Sequence, residues 1–190
     1  MKPSLPGSYF DDIYRRDPDP WRFATSDYEA AKYQATLDAL TRPRYGRAFE
    51  IGCSIGVLTR QLATRCDALL AVDVSPLALE QATARNADLP QVSFARMAIP
   101  NESPSGTFDL IVMSEVGYYL SMPDLELAAD TCRALLNPGG ELVLVHYIRE
   151  TDYPLTGDET HDFLLRREGF SVQADEYGGD YRLSVLKRTG

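Results

Sequence analysis

Glu50 and Asp73 are the acidic residues of this 190-residue chain whose positions indicate ligand binding. Glu50 stands two residues before a turn with glycines at positions 52 and 56, and Asp73 ends a later apolar segment. The glycines allow a tight turn and the close approach of a ligand to the backbone. A carboxylate aimed into such a turn favours ligands with ammonium or hydroxyl groups and disfavours phosphate groups. Asp73, at a strand end, is suited to accept hydrogen bonds from both hydroxyl groups of a ribose.

Both features have a structural alternative. The segment around Gly52 and Gly56 could be an ordinary strand-to-helix turn, and Asp73 could serve only as a helix cap. However, Ser75 followed by Pro76 matches the serine N-cap and N-terminal proline that begin many helices. We therefore expect Ser75 to cap the next helix, which leaves Asp73 available to a ligand.

Three residues further along the chain are candidates for acid–base catalysis. Glu115 directly follows the apolar segment 108–114, and His146 lies near the end of the apolar segment 141–148. An ionised Glu115 would attract a cationic group, and a histidine, which titrates near ~6.5 when unperturbed, can take up a proton. Tyr118 would line a ligand pocket beside them. The alternatives are a buried core position for His146 and packing under the following helix for Tyr118.

Seven apolar segments are predicted to be the strands that position these residues: 47–52, 68–74, 91–95, 108–114, 141–148, 170–177 and 181–187. Helical periodicities separate most of them, and a last helix is predicted over 159–168. Apolar strands separated by helices predict a parallel sheet that is covered on both faces. Residues 177–180 cannot hold a parallel crossover, so the last two strands must form an antiparallel hairpin. The predicted fold is α/β, with a doubly wound, Rossmann-like, seven-stranded sheet that is mostly parallel and has an antiparallel last strand.

Residues 1–44 are predicted to form an N-terminal helical arm that covers the site, and residues 45–190 to form the seven-stranded core. Both belong to a single domain, because 190 residues are enough to bury one hydrophobic core. The arm is rich in proline, aspartate and aromatic residues as far as residue 27. A helical stripe of Ala30, Tyr33, Leu37 and Leu40 follows, and Pro43 ends that helix.

Composition and charge exclude several classes of protein. With 19 Lys and Arg against 28 Asp and Glu, the formal net charge is −9, so we expect no nucleic-acid partner. The three cysteines form no CxxC pair, so we expect neither a disulfide framework nor a zinc site, and no metal is predicted. No apolar run reaches ~18 residues and the N-terminus lacks an apolar leader segment, so we expect no membrane partner and a cytoplasmic location.

Longer motifs resemble those of known enzymes. The turn EIGCSIG, the later Asp73, and the segments FDLIVMSEV (108–116) and LNPGGELVLV (136–145) resemble class I methyltransferases that depend on S-adenosylmethionine (SAM). At a finer level, DPDPWRF, DYEAAKYQATL, EIGCSIGVLT and FDLIVMSEVGYYL resemble the nodulation protein S family over roughly residues 8–148. That family comprises small N-methyltransferases that act on the glucosamine end of chitooligosaccharides.

The resemblance implies an enzyme that binds SAM and releases S-adenosylhomocysteine (SAH). The implied SAM-binding residues are Trp21, Arg22, Lys32, Glu50, Gly52, Cys53, Gly56, Asp73, Val74, Met97, Ala98, Ile99, Ser114 and Glu115. The implied catalytic residues are Glu115, Tyr118 and His146, because the ends of the fourth and fifth strands would frame the methyl group. The implied acceptor is a small polar molecule, with an amine such as an amino sugar favoured, and the enzyme would be a monomer or homodimer.

Two positions depart from the methyltransferase pattern. Ser54 replaces the middle glycine of the turn, which is acceptable provided that its backbone is not left-handed. Ala98 stands where an acid near the adenine amino group is expected. The adenine would therefore be held by packing against Val74, Met97 and Ile99 and by backbone hydrogen bonds.

Three residues of the arm have two interpretations each. Trp21 could anchor the arm on the core, or it could cover SAM, since an aromatic ring attracts a sulfonium cation. Arg22 and Lys32 are candidates to bind the methionine carboxylate of SAM, because no other cation is close in sequence. The alternative for both is a solvated position on the surface.

Other functions stay open from the sequence alone. The same cofactor could methylate an oxygen or carbon atom or enter another reaction. A nucleotide-dependent oxidoreductase is opposed by Glu50 and by the GxxxG spacing, since a dinucleotide loop would read GxGxxG. A non-catalytic module that retains the pocket is opposed by the intact set of Glu50, Gly52, Gly56 and Asp73.

Overall fold

The computed structural model describes residues 2–190. Within this range the chain forms six α-helices and seven strands, in the order α1 (Gly7–Arg16), α2 (Asp27–Asp38), β1 (Tyr45–Ile51), α3 (Val57–Leu62), β2 (Cys66–Asp73), α4 (Pro76–Arg85), β3 (Val92–Arg96), β4 (Phe108–Ser114), α5 (Met122–Leu135), β5 (Leu136–Tyr147), α6 (Gly157–Leu165), β6 (Phe170–Gly178) and β7 (Tyr181–Arg188). None of the helices in this range is long and apolar enough to cross a membrane.

The seven strands form one sheet in the order β3-β2-β1-β4-β5-β7-β6. β2 pairs in parallel with β1 and with β3, and β4 pairs in parallel with β5. β7 is antiparallel to both of its neighbours, β5 and β6. The predicted fold class, a mostly parallel seven-stranded α/β sheet with an antiparallel last strand and an N-terminal helical arm, is therefore confirmed.

The chain divides into two compact units. The N-terminal unit is Pro6–Ala98, which contains α1, α2, the strands β1 to β3 and the helices α3 and α4. The C-terminal unit contains residues 99–190 together with residues 2–5. Whether the chain behaves as the single domain expected from its length stays a prediction.

In the N-terminal unit, helix α2 covers most of the predicted apolar stripe, but its buried face differs from that stripe. The Oγ atom of Ser26 accepts a hydrogen bond from the backbone N–H of Glu29 at 3.3 Å and so caps the helix. The predicted apolar stripe starts at Ala30, which is exposed, whereas Glu29 and Lys32 are buried beside Tyr33. An ion pair between Glu29 and Lys32 makes this burial possible, and a scan for apolar periodicity does not detect such a pair.

In the C-terminal unit, helix α6 and strand β5 both begin earlier than predicted. Helix α6 begins at Gly157 and not at residue 159, because Thr156 and Glu159 form a reciprocal capping box. Strand β5 begins at Leu136, directly after α5, where Leu136 pairs with Phe108 ahead of a register shift. The central strands of this unit are buried, as their apolar sequences predict.

Candidate functional site

The loop after β1 is built on left-handed backbone. Gly52, Ser54 and Gly56 have φ angles of 75°, 50° and 77°. The condition under which Ser54 is acceptable in place of glycine, a backbone outside the left-handed region, is therefore not met. Left-handed backbone costs a residue with a Cβ atom roughly 1–2 kcal/mol. Two hydrogen bonds offset this cost: the N–H of Ser54 donates to Oδ2 of Asp73 at 2.9 Å, and its Oγ atom lies 2.5 Å from the Tyr14 hydroxyl.

Gly56 ends this loop, and no other residue type fits there. A Cβ atom on Gly56 would lie 2.9 Å from Cα of Ala82, on helix α4, and 2.6 Å from Nδ2 of Asn86, the C-cap of that helix. Gly56 is also the residue that precedes the first turn of α3. The glycine therefore lets α3 and α4 pack closely while the loop stays open to a ligand.

Glu50 lies at the end of β1 and is 2% exposed. The hydroxyl of Thr59, on α3, donates a hydrogen bond to its Oε2 atom at 2.6 Å. Burial is the main cause that raises the pKa of Glu50 to about 7; the Thr59 hydrogen bond opposes this rise and the charge of nearby Asp73 adds to it. The side chain makes no other hydrogen bond with residues 2–190. A buried carboxylate with one open oxygen fits a cationic ligand.

Asp73 ends β2 and is 8% exposed. Its Oδ2 atom accepts the N–H of Ser54, and its Oδ1 atom accepts the N–H of Ser75 at 2.9 Å. Burial raises the pKa of Asp73, and these backbone hydrogen bonds oppose that rise. Ser75 is the N-cap residue of α4 and Pro76 lies in its first turn, as predicted, but the Ser75 side chain makes no capping hydrogen bond. The Ser75 hydroxyl instead donates to Asp11 at 2.6 Å, and Asp73 binds the helix start.

Helix α1 of the arm packs on both of these loops. Tyr14 reaches the first loop through Ser54, and Asp11 reaches the second through Ser75. Burial raises the pKa of Tyr14 further, so its hydroxyl stays protonated and can serve as a donor. Neither contact has a local signal in the sequence, because its two residues lie on elements that are far apart along the chain. The arm therefore helps to set the conformation of the loops that contain the predicted ligand-binding residues.

Trp21 anchors the arm through aromatic contacts. Its ring packs edge-on against Tyr14, with centroids 5.7 Å apart, and stacks on Phe23 at 5.5 Å. The three rings join a cluster with the buried residues Ile55 and Ala78. The anchoring interpretation of Trp21 is thus supported by direct contacts, and a contact between Trp21 and SAM stays a prediction.

Arg22 and Lys32 have different surroundings in the N-terminal unit. Arg22 is exposed with a φ angle of 60°, and its side chain makes no hydrogen bond or ion pair with any other residue between 2 and 190. Lys32 is 2% exposed, and its Nζ atom lies 2.9 Å from the carboxylate of Glu29. The surface alternative is therefore wrong for Lys32. Arg22 is the better candidate for a carboxylate ligand because its charge is not already paired.

The residues predicted to surround the adenine follow β2 and β3. Val74, Met97 and Ala98 are half-buried, and the N–H of Met97 donates to the carbonyl of Asp73 at 3.1 Å.

Within the loop after β1, burial holds the pKa of the Cys53 thiol well above its usual range, so the thiol is not reactive. The remaining predicted residues, Ile99, Ser114 and Glu115, belong to the C-terminal unit. Their roles stay predictions.

Glu115 follows β4 in the C-terminal unit and has a φ angle of 58°. Its Oε2 atom accepts the hydroxyl of Tyr118 in a short hydrogen bond and the backbone N–H of Tyr147 at 3.0 Å. Burial raises the pKa of Tyr118 far above its usual range, and the Glu115 charge adds to this shift, so Tyr118 acts as a donor. A non-glycine residue held in left-handed backbone at a strand end is typical of functional sites.

Three tyrosine rings pack together beside Glu115. Tyr118 contacts Tyr119 at 4.6 Å between centroids and stacks on Tyr153 at 5.1 Å, and Tyr119 packs edge-on against Tyr153 at 4.7 Å. Tyr153 lies in the loop that follows β5, and a hydrogen bond from the N–H of Leu155 to the carbonyl of Tyr118 holds this loop at 3.1 Å. Sequence reasoning missed Tyr153, because nothing in its local sequence distinguishes it.

His146 lies on β5 and is 0% exposed. Its Nε2 atom accepts the N–H of Gly117 at 2.9 Å, and its Nδ1 atom lies 3.1 Å from Nε2 of His161. Both ring nitrogens are therefore engaged with the protein. A role for His146 as the proton acceptor stays a prediction, but Glu115 is better placed for it. In the part of the chain that the structure describes, no group of three His, Cys, Asp or Glu residues could hold a metal ion.

Comparisons with known proteins identify the family of this chain. A family model described as Nodulation protein S (NodS) matches residues 11–149. The chain is 33% identical over 168 residues to nodulation protein S of Rhizobium tropici, covering 85% of this chain and 70% of that protein. It is 35% identical over 127 residues to nodulation protein S of Bradyrhizobium diazoefficiens, covering 66% of this chain and 61% of that protein.

A solved structure extends the match to the whole sheet. The crystal structure of N-methyltransferase NodS from Bradyrhizobium japonicum WM9 in complex with SAH superimposes on the chain with a TM-score of 0.85 at 26% identity. The superposition covers 96% of this chain and 98% of that one. The region that the family model matches includes the β1 loop, Asp73 and Glu115. The chain therefore belongs to the nodulation protein S family of SAM-dependent methyltransferases.

Proposed function

We propose that this methyltransferase moves the sulfonium methyl group of SAM to the nitrogen atom of a small amine. An amino sugar, or a chitooligosaccharide-like molecule with a free amino group, is the acceptor we favour. The structural relative is an N-methyltransferase in complex with SAH, which supports both the donor and the nitrogen. The observation that carries the choice of an amine is the Glu115 carboxylate, which two hydrogen bonds orient beside a group of tyrosine rings.

The N-terminal unit would hold SAM. Glu50 would accept the methionine ammonium on the oxygen that Thr59 leaves open. Asp73 would accept the ribose hydroxyls, since each carboxylate oxygen has two lone pairs and the backbone of Ser54 and Ser75 uses only one on each. The unpaired guanidinium of Arg22 would bind the methionine carboxylate.

The C-terminal unit would bind the acceptor. A carboxylate next to aromatic rings attracts an ammonium group, because both the charge and the face of each ring favour a cation. Glu115 would therefore draw in the protonated amine, and Tyr118 and Tyr153 would line its path. A neutral hydroxyl acceptor would gain much less from this arrangement, since it carries no charge for Glu115 to pair with.

The transfer itself needs a neutral amine. The bound ammonium first loses a proton, which we assign to Glu115. The nitrogen lone pair then attacks the methyl carbon of SAM as the carbon–sulfur bond breaks, and that bonding pair stays on sulfur. The products are neutral SAH and a methylammonium group. The leaving group is good, so the protein contributes mainly alignment and the exclusion of water.

The acceptor proposal can be tested by measuring SAH release with matched acceptors. Glucosamine and chitooligosaccharides with a free amino group should be methylated, and their N-acetylated counterparts should not be. Glu115→Gln should bind SAM with an affinity within about twofold of the wild type and lower kcat by about 100-fold, the lower range for losing a general base. Glu150→Gln, an exposed change of the same type in the following loop, is the control and should leave kcat unchanged.

Three outcomes would contradict the proposal. Unchanged turnover in Glu115→Gln would remove this residue from the mechanism. Methylation of hydroxyl acceptors at the same rate as amines would favour oxygen as the accepting atom. Turnover of a tRNA without activity on small amines would exclude a small-molecule acceptor.

A further inference from the structure

A continuous chain of hydrogen bonds crosses the core of the C-terminal unit. It starts at the N–H of Gly117, which donates to Nε2 of His146 at 2.9 Å. Nδ1 of His146 lies 3.1 Å from Nε2 of His161, and Nδ1 of His161 lies 2.6 Å from Oγ of Ser184. The Ser184 hydroxyl donates to Oδ1 of Asp175 at 2.7 Å. Both histidines and Ser184 are 0% exposed.

The position of every proton in this chain follows from its ends. The amide of Gly117 can only donate, so Nε2 of His146 must be without a proton and Nδ1 must carry it. Nδ1 of His146 then donates to Nε2 of His161, whose own proton must sit on Nδ1. At the other end, a carboxylate can only accept, so the Ser184 hydroxyl is used as a donor and its oxygen must accept from His161. The two ends impose the same arrangement, in which both rings are neutral.

Arg182 holds the outer end of the chain in place. Its guanidinium donates two hydrogen bonds to Asp175, each at 2.8 Å, and it also reaches Asp158 at 3.1 Å and Asp162 at 2.9 Å on helix α6. Burial, together with the nearby charge of Arg182, lowers the pKa of His161 to about 2, which agrees with a neutral ring. The chain is therefore fixed between a backbone amide and an ion-paired carboxylate.

The inner end of the chain lies in the turn that contains Glu115 and Tyr118. A Cβ atom on Gly117 would lie 2.5 Å from Cγ2 of Thr160 and 3.1 Å from Nε2 of His146, so the amide is pressed against the imidazole. A proton on Nε2 would set two donors against each other and force the turn away. The tautomer of His146 therefore decides whether this turn can keep its position.

We infer that Ser184 and Asp175 fix the tautomers of His161 and His146, and that His146 thereby positions the turn that carries Glu115 and Tyr118. These four residues are positioning residues, and none is assigned contact with a substrate. The inference rests on the proposed function in one respect, namely that Glu115 and Tyr118 contact the acceptor.

Nuclear magnetic resonance can test the tautomers without any variant. The chain has two histidines, so protein labelled with ¹⁵N-histidine gives one pattern for each ring. Both rings should show a protonated Nδ1 and an unprotonated Nε2 from pH 6 to pH 8. A proton on Nε2 of either ring, or a titration of His146 in this range, would overturn the inference, whatever the acceptor is.

Ser184→Ala tests the link to catalysis. Without the hydroxyl, His161 has no partner for its Nδ1 proton, and only the hydrogen bond from the Gly117 amide still opposes the other tautomer, so part of the population of both rings can change tautomer. We expect NMR signals from a neutral His146 that carries its proton on Nε2. We also expect kcat with the amine acceptor to fall by about tenfold and the SAM affinity to stay within about twofold of the wild type. Ser171→Ala, on the adjacent strand β6 with its hydroxyl 3.4 Å from the carbonyl of Lys187, is the matched control and should change none of these.

The outcomes separate this inference from the proposed function. Wild-type tautomers together with unchanged kcat in Ser184→Ala would overturn the positioning role, while amine methylation by the wild type would still stand. Changed tautomers with unchanged kcat would also overturn it, because the turn would then not depend on His146. If the wild type methylates another class of acceptor, the same comparison of kcat is made with that acceptor, and the tautomer result is unaffected.

Discussion

Replacing Glu50 with glutamine tests the predicted SAM site through two opposite dependences on pH. Burial raises the pKa of Glu50 from 4.5 to about 7 in the folded chain. Between these values the folded protein binds a proton that the unfolded chain has lost, so the free energy of unfolding falls as the pH rises. The loss reaches about 3 kcal/mol by neutral pH, since each unit of pKa shift is worth about 1.4 kcal/mol. Glu50→Gln keeps the size of the side chain and removes this loss.

Ligand binding should depend on pH in the other direction. A cation such as the methionine ammonium binds the ionised form of Glu50, so below the pKa of about 7 the ligand must displace a proton. The affinity for SAM and for SAH should therefore weaken by about tenfold per pH unit below neutrality. In Glu50→Gln the affinity should be low at every pH, and this part of the slope should be absent.

Urea denaturation of the wild type and of Glu50→Gln at pH 5, 6 and 7 measures the first effect as the difference between their free energies of unfolding, because the opposite contribution of His161 is common to both proteins. Titration calorimetry with SAM and SAH between pH 5.5 and 7 measures the second. Glu80→Gln, an exposed glutamate of the same unit, is the control and should behave as the wild type in both assays. Burial also raises the pKa of Asp73, so a slope that remains in Glu50→Gln is assigned to Asp73. A SAM affinity that is constant over this range in the wild type would refute the assignment of Glu50 to a cationic ligand.

Two further predictions concern stability. Gly56→Ala should lower the free energy of unfolding by more than Gly179→Ala. Both glycines have positive φ angles, which cost an alanine ~1 kcal/mol, but a Cβ atom on Gly56 would also lie 2.9 Å from Ala82, whereas one on Gly179 would have no atom within 4 Å. Thermal unfolding of the two variants measures the difference, which should exceed ~1 kcal/mol. For His161, whose folded pKa of about 2 lies below the ordinary 6.5, the unfolded chain binds a proton first as the pH falls. The contribution of His161 to stability should therefore be complete above pH 6.5 and fall by about 1.4 kcal/mol per unit below it. Glu50 contributes equally to the wild type and to His161→Gln, so urea denaturation should show this slope in the difference between their free energies of unfolding, and a difference that does not change with pH would contradict the pKa of His161.

The strands and the acids at their ends could be predicted from the sequence because local pattern determines them. Strand β4 has the predicted bounds, since a mostly apolar segment begins at Phe108, after Gly106 and Thr107, and ends at Ser114, before Glu115. Asp73 ends β2 for the same reason. The positions of Glu50, Asp73 and Glu115 at strand ends therefore needed no information about distant parts of the chain.

Other features had a local signal that an apolar scan does not register. The spacing of Thr156 and Glu159 is that of a capping box, which moves the start of α6 two residues earlier than predicted. Glu29 and Lys32 are three residues apart on α2, the spacing of an ion pair within a helix, and this pairing lets both be buried. Charged residues at such spacings can thus belong to the buried face of a helix.

The histidine chain had no local signal at all. His146, His161 and Ser184 lie on β5, α6 and β7, and they meet only because β7 pairs with β5 in antiparallel register while α6 packs beside them. Ser54 is similar, since its left-handed backbone depends on Asp73 and on Tyr14 from the arm. Contacts between elements follow from the topology of the sheet and cannot be obtained from spacing along the chain.

The features that local rules fail to predict have a common physical character. Glu50 and Asp73 are buried acids that raise each other's cost of ionisation, and Ser54 and Glu115 occupy backbone that glycine would adopt more easily. The ionised form of Glu50 does not stabilise the free chain, because a neutral side chain at position 50 would remove the cost of ionisation. Binding of a cation beside Glu50 would convert that cost into affinity, which ties the unfavourable features of the free protein to its cofactor.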